Sequence, residues 1–389
     1  MFSPRHVVVL GATGSIGESA AKVARALPDQ MKIVGISGHN NLHRLIELAQ
    51  EFNPSTVSTK DKSHTEQLLK ALTSTSPAPL VVEGEEGLLR LATLTEAELI
   101  VIAIVGTAGL KPALAALKAG KNLAIASKEI LVMAGHEVMT TARKYERQIL
   151  PIDSEHNALF QCLEGRDPAT VRRLILTCSG GPFRNIEASE LAHVTPSMAL
   201  RHPTWSMGSK ITIDSATFFN KGLEMIEAHH LFGFPMEKID VVIHPESIIH
   251  SMVEFVDGSL LAHMSQNDMV LPIQSAITYP KRVPGPCSPL NLTEIGALHF
   301  EKPRHDLFPA LQLAREAGTQ GGTMPAILNA ANEKAVELFL EEKISFPSIW
   351  NYVATVMHQL PTIPTPTLEE IIEADHAARN AVLRLYKRG

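Results

Sequence analysis

His6-Val-Val-Val-Leu-Gly-Ala-Thr-Gly-Ser-Ile-Gly17 is the stretch that decides the fold class. The apolar run His6–Leu10 reads as a strand buried on both faces, and it passes directly into a glycine turn and a helix from Glu18 to about Leu27. Glycines at 11, 14 and 17 let the backbone pass close to a pyrophosphate, while amides at the helix start supply donors and the positive end of the helix dipole. The spacing is GxxGxxG rather than GxGxxG, so a glycine turn of any α/β unit is the alternative at this point.

The next segments extend the same register. A second strand, Lys32–Ser37, ends at Gly38-His39-Asn40-Asn41, and an amphipathic helix follows through Leu42, Leu45, Ile46, Ala49 and Phe52. An NAD site places an acidic side chain at that strand end for the ribose hydroxyl; Ser37, His39 and Asn40 stand there instead, which favours NADP. Further strands at Leu80–Val82, Leu99–Val105 and Leu123–Ala126, with a helix at Leu110–Lys118, predict a doubly wound parallel sheet. Ligands of such sheets lie at the carboxyl ends of strands, so Ala103, Gly106 and the run Ala126-Ser127-Lys128-Glu129 are candidates to line the cofactor cleft. Lys128 and Glu129 also fit a solvated ion pair at a helix start.

In the middle third, the short strand Ile149–Ile152 ends in Asp153-Ser154-Glu155-His156-Asn157, and strand periodicity sets Asp153 and Glu155 on one side. Two carboxylates there suit Mg²⁺ or Mn²⁺, with Glu224 as a third oxygen ligand; the alternative is that Asp153 or Ser154 caps the helix from Asn157 to Leu163. After a strand at Arg173–Thr177, Ser179 with its neighbouring glycines reads as an anion contact, and Cys178 is a competing nucleophile for aldehyde chemistry. His202–Gly208 has the composition of a lid that closes Trp205 and Met207 over a ligand, although a core tryptophan in a loop has the same look. On one helix beginning near Ser215 or Ala216, Asn220, Lys221 and Glu224 share a face, with Glu227 a turn further on. Intrahelical ion pairs on a surface helix give the same pattern.

Bulk properties narrow the class. With 389 residues, 45% hydrophobic and 20% charged, the chain is globular and long enough for more than one core. A net charge of -6 with dispersed basic residues excludes a nucleic-acid surface and favours a small-molecule partner. The apolar run Leu99–Val105 is too short for a membrane span. Three cysteines without a CxxC pair suggest a reducing cytoplasm, and the strand close behind Met1 leaves no room for a targeting peptide. Lys281 to about Phe308 is proline-rich and reads as a linker; helical spacing in Met324–Glu341, Phe346–Gln359 and Leu368–Lys387 predicts a terminal bundle. Three strands, Ile239–His244, Ser251–Phe255 and Ser259–Met264, present a sheet suited to subunit pairing.

The motifs GATGSIG, ASKE, DSEHNA, CSGGPF, HPTWSMG, DSAT, NKGLEMIEA and HPESIIHSM, in that order over essentially the full length, resemble the 1-deoxy-D-xylulose 5-phosphate reductoisomerase family. The resemblance implies a homodimer that rearranges and reduces a phosphorylated ketose with NADPH and Mg²⁺ or Mn²⁺, Co²⁺ being compatible. It implies Asp153, Glu155 and Glu224 as metal ligands and Ser179, Ser215, Asn220 and Lys221 as the phosphate group, with Ser154, His202 and His250 also in the substrate region. The resemblance implies Thr13, Gly14, Ser15, Ile16, Lys128, Glu129 and Gly208 as cofactor contacts, and Gly11, Gly38, His39, Asn40, Ala103 and Asn122 are expected beside them from the reading of the turn and strands. Lys128, Glu155 and metal-bound water are the candidate proton movers, and His202, Trp205 and Met207 form the mobile loop. His39 departs from the Lys or Arg that some members carry. The expected architecture is a Rossmann-like doubly wound sheet (1–150), a central α/β (α+β) catalytic and dimerisation domain (151–285), a linker (286–310) and a C-terminal helical bundle (311–389). A semialdehyde dehydrogenase using Cys178 and a non-enzymatic NADP-binding regulator are the competing readings.

Overall fold

The computed structural model describes residues 3–72, 77–201 and 207–388. They fall into two compact units, one built from the chain up to Ile130 with His136–Asn157 and Asp268–Pro289, the other from Leu131–Gly135, Ala158–Asn267 and the chain from Leu290 onward.

The chain begins β1 (Arg5–Leu10), α1 (Ser15–Ala26), β2 (Met31–Ser37), α2 (Leu42–Phe52), β3 (Thr56–Thr59), α3 (Lys62–Ala71), β4 (Leu80–Glu83), α4 (Gly84–Ala92), β5 (Leu99–Ile102), α5 (Leu110–Lys118), β6 (Asn122–Ile125), α6 (Lys128–Lys144) and β7 (Ile149–Pro151). The seven strands make one parallel sheet in the order β4-β3-β2-β1-β5-β6-β7. Strand order runs outward from β1 in one direction and then resumes at β5 in the other. A crevice therefore opens at the carboxyl ends of β1 and β5, where a doubly wound sheet binds its ligand. Val7–Leu10 are at most 1% exposed; each such side chain contributes roughly 1.5–3 kcal/mol of burial. The short β3, Thr-Val-Ser-Thr, has no apolar run to announce it, yet all four residues are buried between β2 and β4.

The chain continues through α7 (Ser154–Leu163), β8 (Val171–Cys178), α8 (Pro196–Ala199), α9 (Ser209–Thr217), α10 (Phe219–Phe232), β9 (Ile239–Ile243), β10 (Ile249–Phe255) and β11 (Leu260–Met264). Next come α11 (Val270–Thr278), which packs on α1 in the first unit, then α12 (Leu292–Ile295), α13 (Ala310–Gln320), α14 (Met324–Leu340), α15 (Ser348–Gln359) and α16 (Leu368–Arg388). The second unit has a mixed sheet, β11-β10-β8-β9, with only β8 and β9 parallel. One apolar cluster joins Leu174 and Leu176 of β8 to Leu223 and Ile226 of α10 and to Ala314, Phe339, Val353 and Val382 of the C-terminal helices.

The units cut the chain differently from the expected segments. The C-terminal helices pack on one another as expected, and an aromatic chain running Phe183, Phe346, Trp350, Phe308, Phe218 with centroid spacings of 5.2, 5.4, 6.0 and 5.2 Å joins them to the core of the central sheet. The proline-rich stretch is also structured in part: Glu301 bridges to Ile243 at the outer end of β9.

Candidate functional site

In the first unit the glycines separate by task. Gly11 has φ +92°, and a Cβ there would lie 2.5 Å from the Ala103 carbonyl oxygen, so the turn after β1 meets the end of β5 only as glycine. A Cβ on Gly17 would lie 2.2 Å from the Ala12 oxygen, which seats α1 directly on the turn. Gly14 and Ser15 are exposed, and no side chain caps α1, whose first amides therefore face outward as anion donors. Thr13 and Ile16 flank them, half-buried. The turn is pinned to the end of β2, where the Ser37 hydroxyl accepts from Gly11 N–H at 2.9 Å and the Ser37 carbonyl from Ala12 N–H at 2.8 Å. Gly38 packs against Thr13 and Leu45, and His39 and Asn40 stand exposed beyond it. Ala103 and Gly106, the latter at φ +74°, close the opposite lip. Asn122 is a correction: it opens β6 at the amino end of the sheet, where its side-chain oxygen accepts from Gln148 N–H at 2.9 Å, away from the strand ends that receive a dinucleotide.

A charged group lies at the starts of α6 and α7. Lys128 Nζ donates to Oδ2 of the half-buried Asp153 at 2.8 Å, and the Ser127 hydroxyl donates to Glu129 Oε2 at 3.0 Å, with Lys128 and Glu129 both buried. The solvated-pair alternative for Lys128 and Glu129 is thus set aside, since each faces a different partner. Asp153 does act at the helix start, its Oδ1 accepting from Ser154 N–H and its backbone oxygen from Asn157 N–H. Carboxylate oxygens of Asp153 and Glu155 nevertheless come within 4.8 Å of each other. Their proximity comes from the first turn of α7, not from strand alternation, because β7 ends at Pro151. The Ser154 hydroxyl donates to Glu155 at 2.5 Å. Burial pushes the Asp153 carboxyl up, but Lys128 and His156 overcome it and hold the group well below the usual carboxylate range. His156, fully buried with Nδ1 3.7 Å from Asp153, carried no role in the sequence reading; its position three residues after Asp153 at a helix start was the available signal.

The second unit carries the other kit. The expected single helix from Ser215 is two helices, broken at Phe218 with φ +68°. An aromatic residue in the left-handed region is strained, and Phe218 is held there by burial and its contact with Phe308. Ser215 thereby ends up on α9, its hydroxyl donating to the Ile211 carbonyl at 2.9 Å, while Asn220, Lys221 and Glu224 open α10. Asn220 Nδ2 donates to Glu224 Oε1 at 2.7 Å and Lys221 Nζ to Glu224 Oε2; Lys221 and Glu224 are 2% and 1% exposed, which removes the surface-helix alternative. Glu227 is equally buried. After β8, Gly180 and Gly181 have φ +82° and +66°, and a Cβ on Gly181 would lie 2.8 Å from the Ser215 oxygen. That contact draws the Ser179 loop onto the end of α9, with Ser179 Oγ accepting from Gly181 N–H at 3.2 Å. His250 is buried in β10 with Nε2 2.8 Å from Ser265 Oγ. Gly208 is exposed at the start of α9 and Met207 half-buried before it. His202 and Trp205 lie outside the described residues. Cys178 Sγ is 3.7 Å from the Val242 carbonyl of the adjacent strand.

Comparison with known proteins bears on the whole chain. Residues 7–135 match the family described as 1-deoxy-D-xylulose 5-phosphate reductoisomerase, and residues 149–232 and 264–381 match two C-terminal domains of that enzyme. A protein of that name from Bacillus cereus (strain Q1) is 51% identical over 380 residues, covering 97% of this chain and 99% of its own. The chain belongs to the 1-deoxy-D-xylulose 5-phosphate reductoisomerase family. A relative from Pelotomaculum thermopropionicum is 49% identical over 98% of this chain and 99% of its own. Among solved structures, the reductoisomerase from Zymomonas mobilis in complex with NADPH superposes with a TM-score of 0.92 at 42% identity, over 99% of both chains. A reductoisomerase in complex with NADPH, fosmidomycin and magnesium gives 0.92 at 40% identity over 98% of both.

Proposed function

We infer that this protein is an NADPH- and divalent-metal-dependent oxidoreductase that converts 1-deoxy-D-xylulose 5-phosphate to 2-C-methyl-D-erythritol 4-phosphate, in the non-mevalonate route to isoprenoids. The observation that carries the reading is that a member of the family, matched over nearly all of this chain, keeps both charged kits at least half-buried and internally paired: Asp153 with Lys128, Glu155 beside Asp153, and Glu224 with Asn220 and Lys221. The donors fit the groups implied. Hard oxygen ligands suit Mg²⁺ or Mn²⁺, and the exposed Gly14 beside the uncapped start of α1 suits a dinucleotide pyrophosphate.

When bound, the cation supplies Lewis acidity toward the ketose carbonyl and hydroxyl oxygens, and NADPH supplies hydride. Asp153, Glu155 and Glu224 would hold the cation, and Lys128 keeps Asp153 ionised for that task. Ser179, Ser215, Asn220 and Lys221 would bind the phosphate, away from the carbons that change partners in a retro-aldol and aldol sequence, so that remote binding orients them. The Lys221 ammonium has three donors and can hold Glu224 while contacting a phosphate oxygen. Lys128 and Glu155 are the groups we assign to proton movement, with Ser154 and His250 at the substrate. His202, Trp205 and Met207 would cover the reacting aldehyde until reduction.

We further assign cofactor binding to the first unit, and a homodimer formed through the second. Support for the latter is the edge strand β11, where Leu260 and Leu261 are exposed. In support of a cytoplasmic location, the three cysteines form no disulfide among the described residues. No helix among the described residues is long and apolar enough to cross a membrane.

The test is loss of NADPH absorbance on adding 1-deoxy-D-xylulose 5-phosphate to chelator-treated protein, before and after Mn²⁺, with identification of the product. We expect turnover only with the metal. Full turnover without it would reject the three-carboxylate site, and metal-independent oxidation of an aldehyde that Cys178→Ser abolishes would favour the dehydrogenase reading instead.

A further inference from the structure

We propose that Lys60, just past the end of β3, the strand next to β2, is the cation that reads the 2′-phosphate of NADPH in this chain, with His39 and Asn40 as its hydrogen-bonding neighbours. The proposal rests on the cofactor reading above and adds a residue that no dinucleotide motif of the sequence contains.

In a doubly wound sheet the ribose 2′ position lies past the carboxyl end of β2. Ser37, the last residue of β2, pairs with Ser58 of β3, and Gly38 N–H still donates to the Ser58 carbonyl at 3.1 Å. Continuing the parallel register sets Thr59 beside Gly38 and Lys60 beside His39, on strands about 4.8 Å apart. A lysine side chain spans that distance.

Several other polar groups at this edge have partners among the described residues. The Ser37 hydroxyl receives Gly11 N–H, and the Thr59 hydroxyl is buried 2.7 Å from Thr65 Oγ1. Arg44, the guanidinium on α2, is compensated twice, by Glu18 at 2.5 and 2.8 Å and by Glu47 at 2.5 Å. His43 pairs with Glu47 at 3.2 Å. Asp61, the acid next to Lys60, is turned onto its own helix, where Oδ1 accepts from His64 N–H at 3.1 Å and lies 2.8 Å from His64 Nδ1. Lys60 is exposed and makes no hydrogen bond or ion pair among the described residues. Apart from its Coulombic attraction to the neighbouring Asp61, whose carboxylate is engaged by His64, it is an exposed full positive charge close to the end of β2. A cation just past the end of β3 supplies the charge that the β2 loop, with His39 and Asn40, does not carry permanently.

Dissociation constants for NADPH and NADH, measured by calorimetry on the full-length protein, test this without reference to turnover. Lys60→Ala should weaken NADPH binding about tenfold and leave NADH within about twofold, Lys60→Arg should retain the preference, and 2′,5′-ADP should lose its ability to compete against the alanine variant. Equal weakening of both dinucleotides would show a structural effect and overturn the proposal. So would an unchanged NADPH affinity, above all if Arg44→Ala removed the preference in its place. A wild-type protein that bound neither dinucleotide would overturn the cofactor reading itself, and Lys60 with it.

Discussion

The residue that organises the chemistry of the first unit is Asp153, and its state depends on Lys128. Its folded carboxyl is held below the unfolded value of about 3.9, so the ion pair contributes stability that is fully present above that pH and is lost as pH falls toward the folded value. Lys128→Met leaves Asp153 buried without its partner, and we expect a loss of about 3–5 kcal/mol near neutral pH in metal-free protein. Urea titrations at several pH values check both parts: the wild type should lose stability steeply below about pH 4, the variant less so. A parallel pair of curves would show that Lys128 does not set the Asp153 titration. DSEHNA announced these carboxylates in the sequence, but not that Lys128, 25 residues earlier, would be the group that ionises one of them.

At the scale of the element, the decisive features are two places where backbone conformation departs from local preference. The helices α2 and α5 end where their amphipathic pattern ends, because propensity and burial agree there. The break between α9 and α10 was not legible, since nothing about a phenylalanine signals a positive φ; packing against Phe308 selects it. β3 escaped notice for a related reason, as Thr-Val-Ser-Thr is buried by its neighbours and not by its own hydrophobicity. The Gly180-Gly181 turn is legible as glycine but not in its purpose, which is to bring Ser179 against the end of α9. Gly181→Ala forces a Cβ into the Ser215 carbonyl at an unfavourable φ. We expect KM for the phosphorylated ketose to rise about tenfold or more, while the NADPH dissociation constant stays within about twofold. An unchanged KM in that variant would detach the Ser179 loop from phosphate binding.

Across the whole molecule, the C-terminal helices serve the core of the second unit. Phe308, Phe346 and Trp350 carry the aromatic chain from Phe183 to Phe218, so a chain ending before Ala310 would lose one wall of the apolar cluster that fixes α10. Such a truncation should yield insoluble or unfolded protein by circular dichroism and proteolysis; a folded product would restore the expectation of a separate bundle. The sequence by itself determined the doubly wound sheet, the nucleotide turn and the inventory of carboxylates, hydroxyls and ammonium groups, because hydrophobic period, glycine spacing and residue chemistry are local properties. Only the tertiary structure decided that Asn122 faces the wrong end of the sheet, that Phe218 divides one expected helix into two, and that the C-terminal helices share a core with the central sheet. Each of these depends on which distant segment supplies the neighbouring atoms, and local pattern carries no record of that.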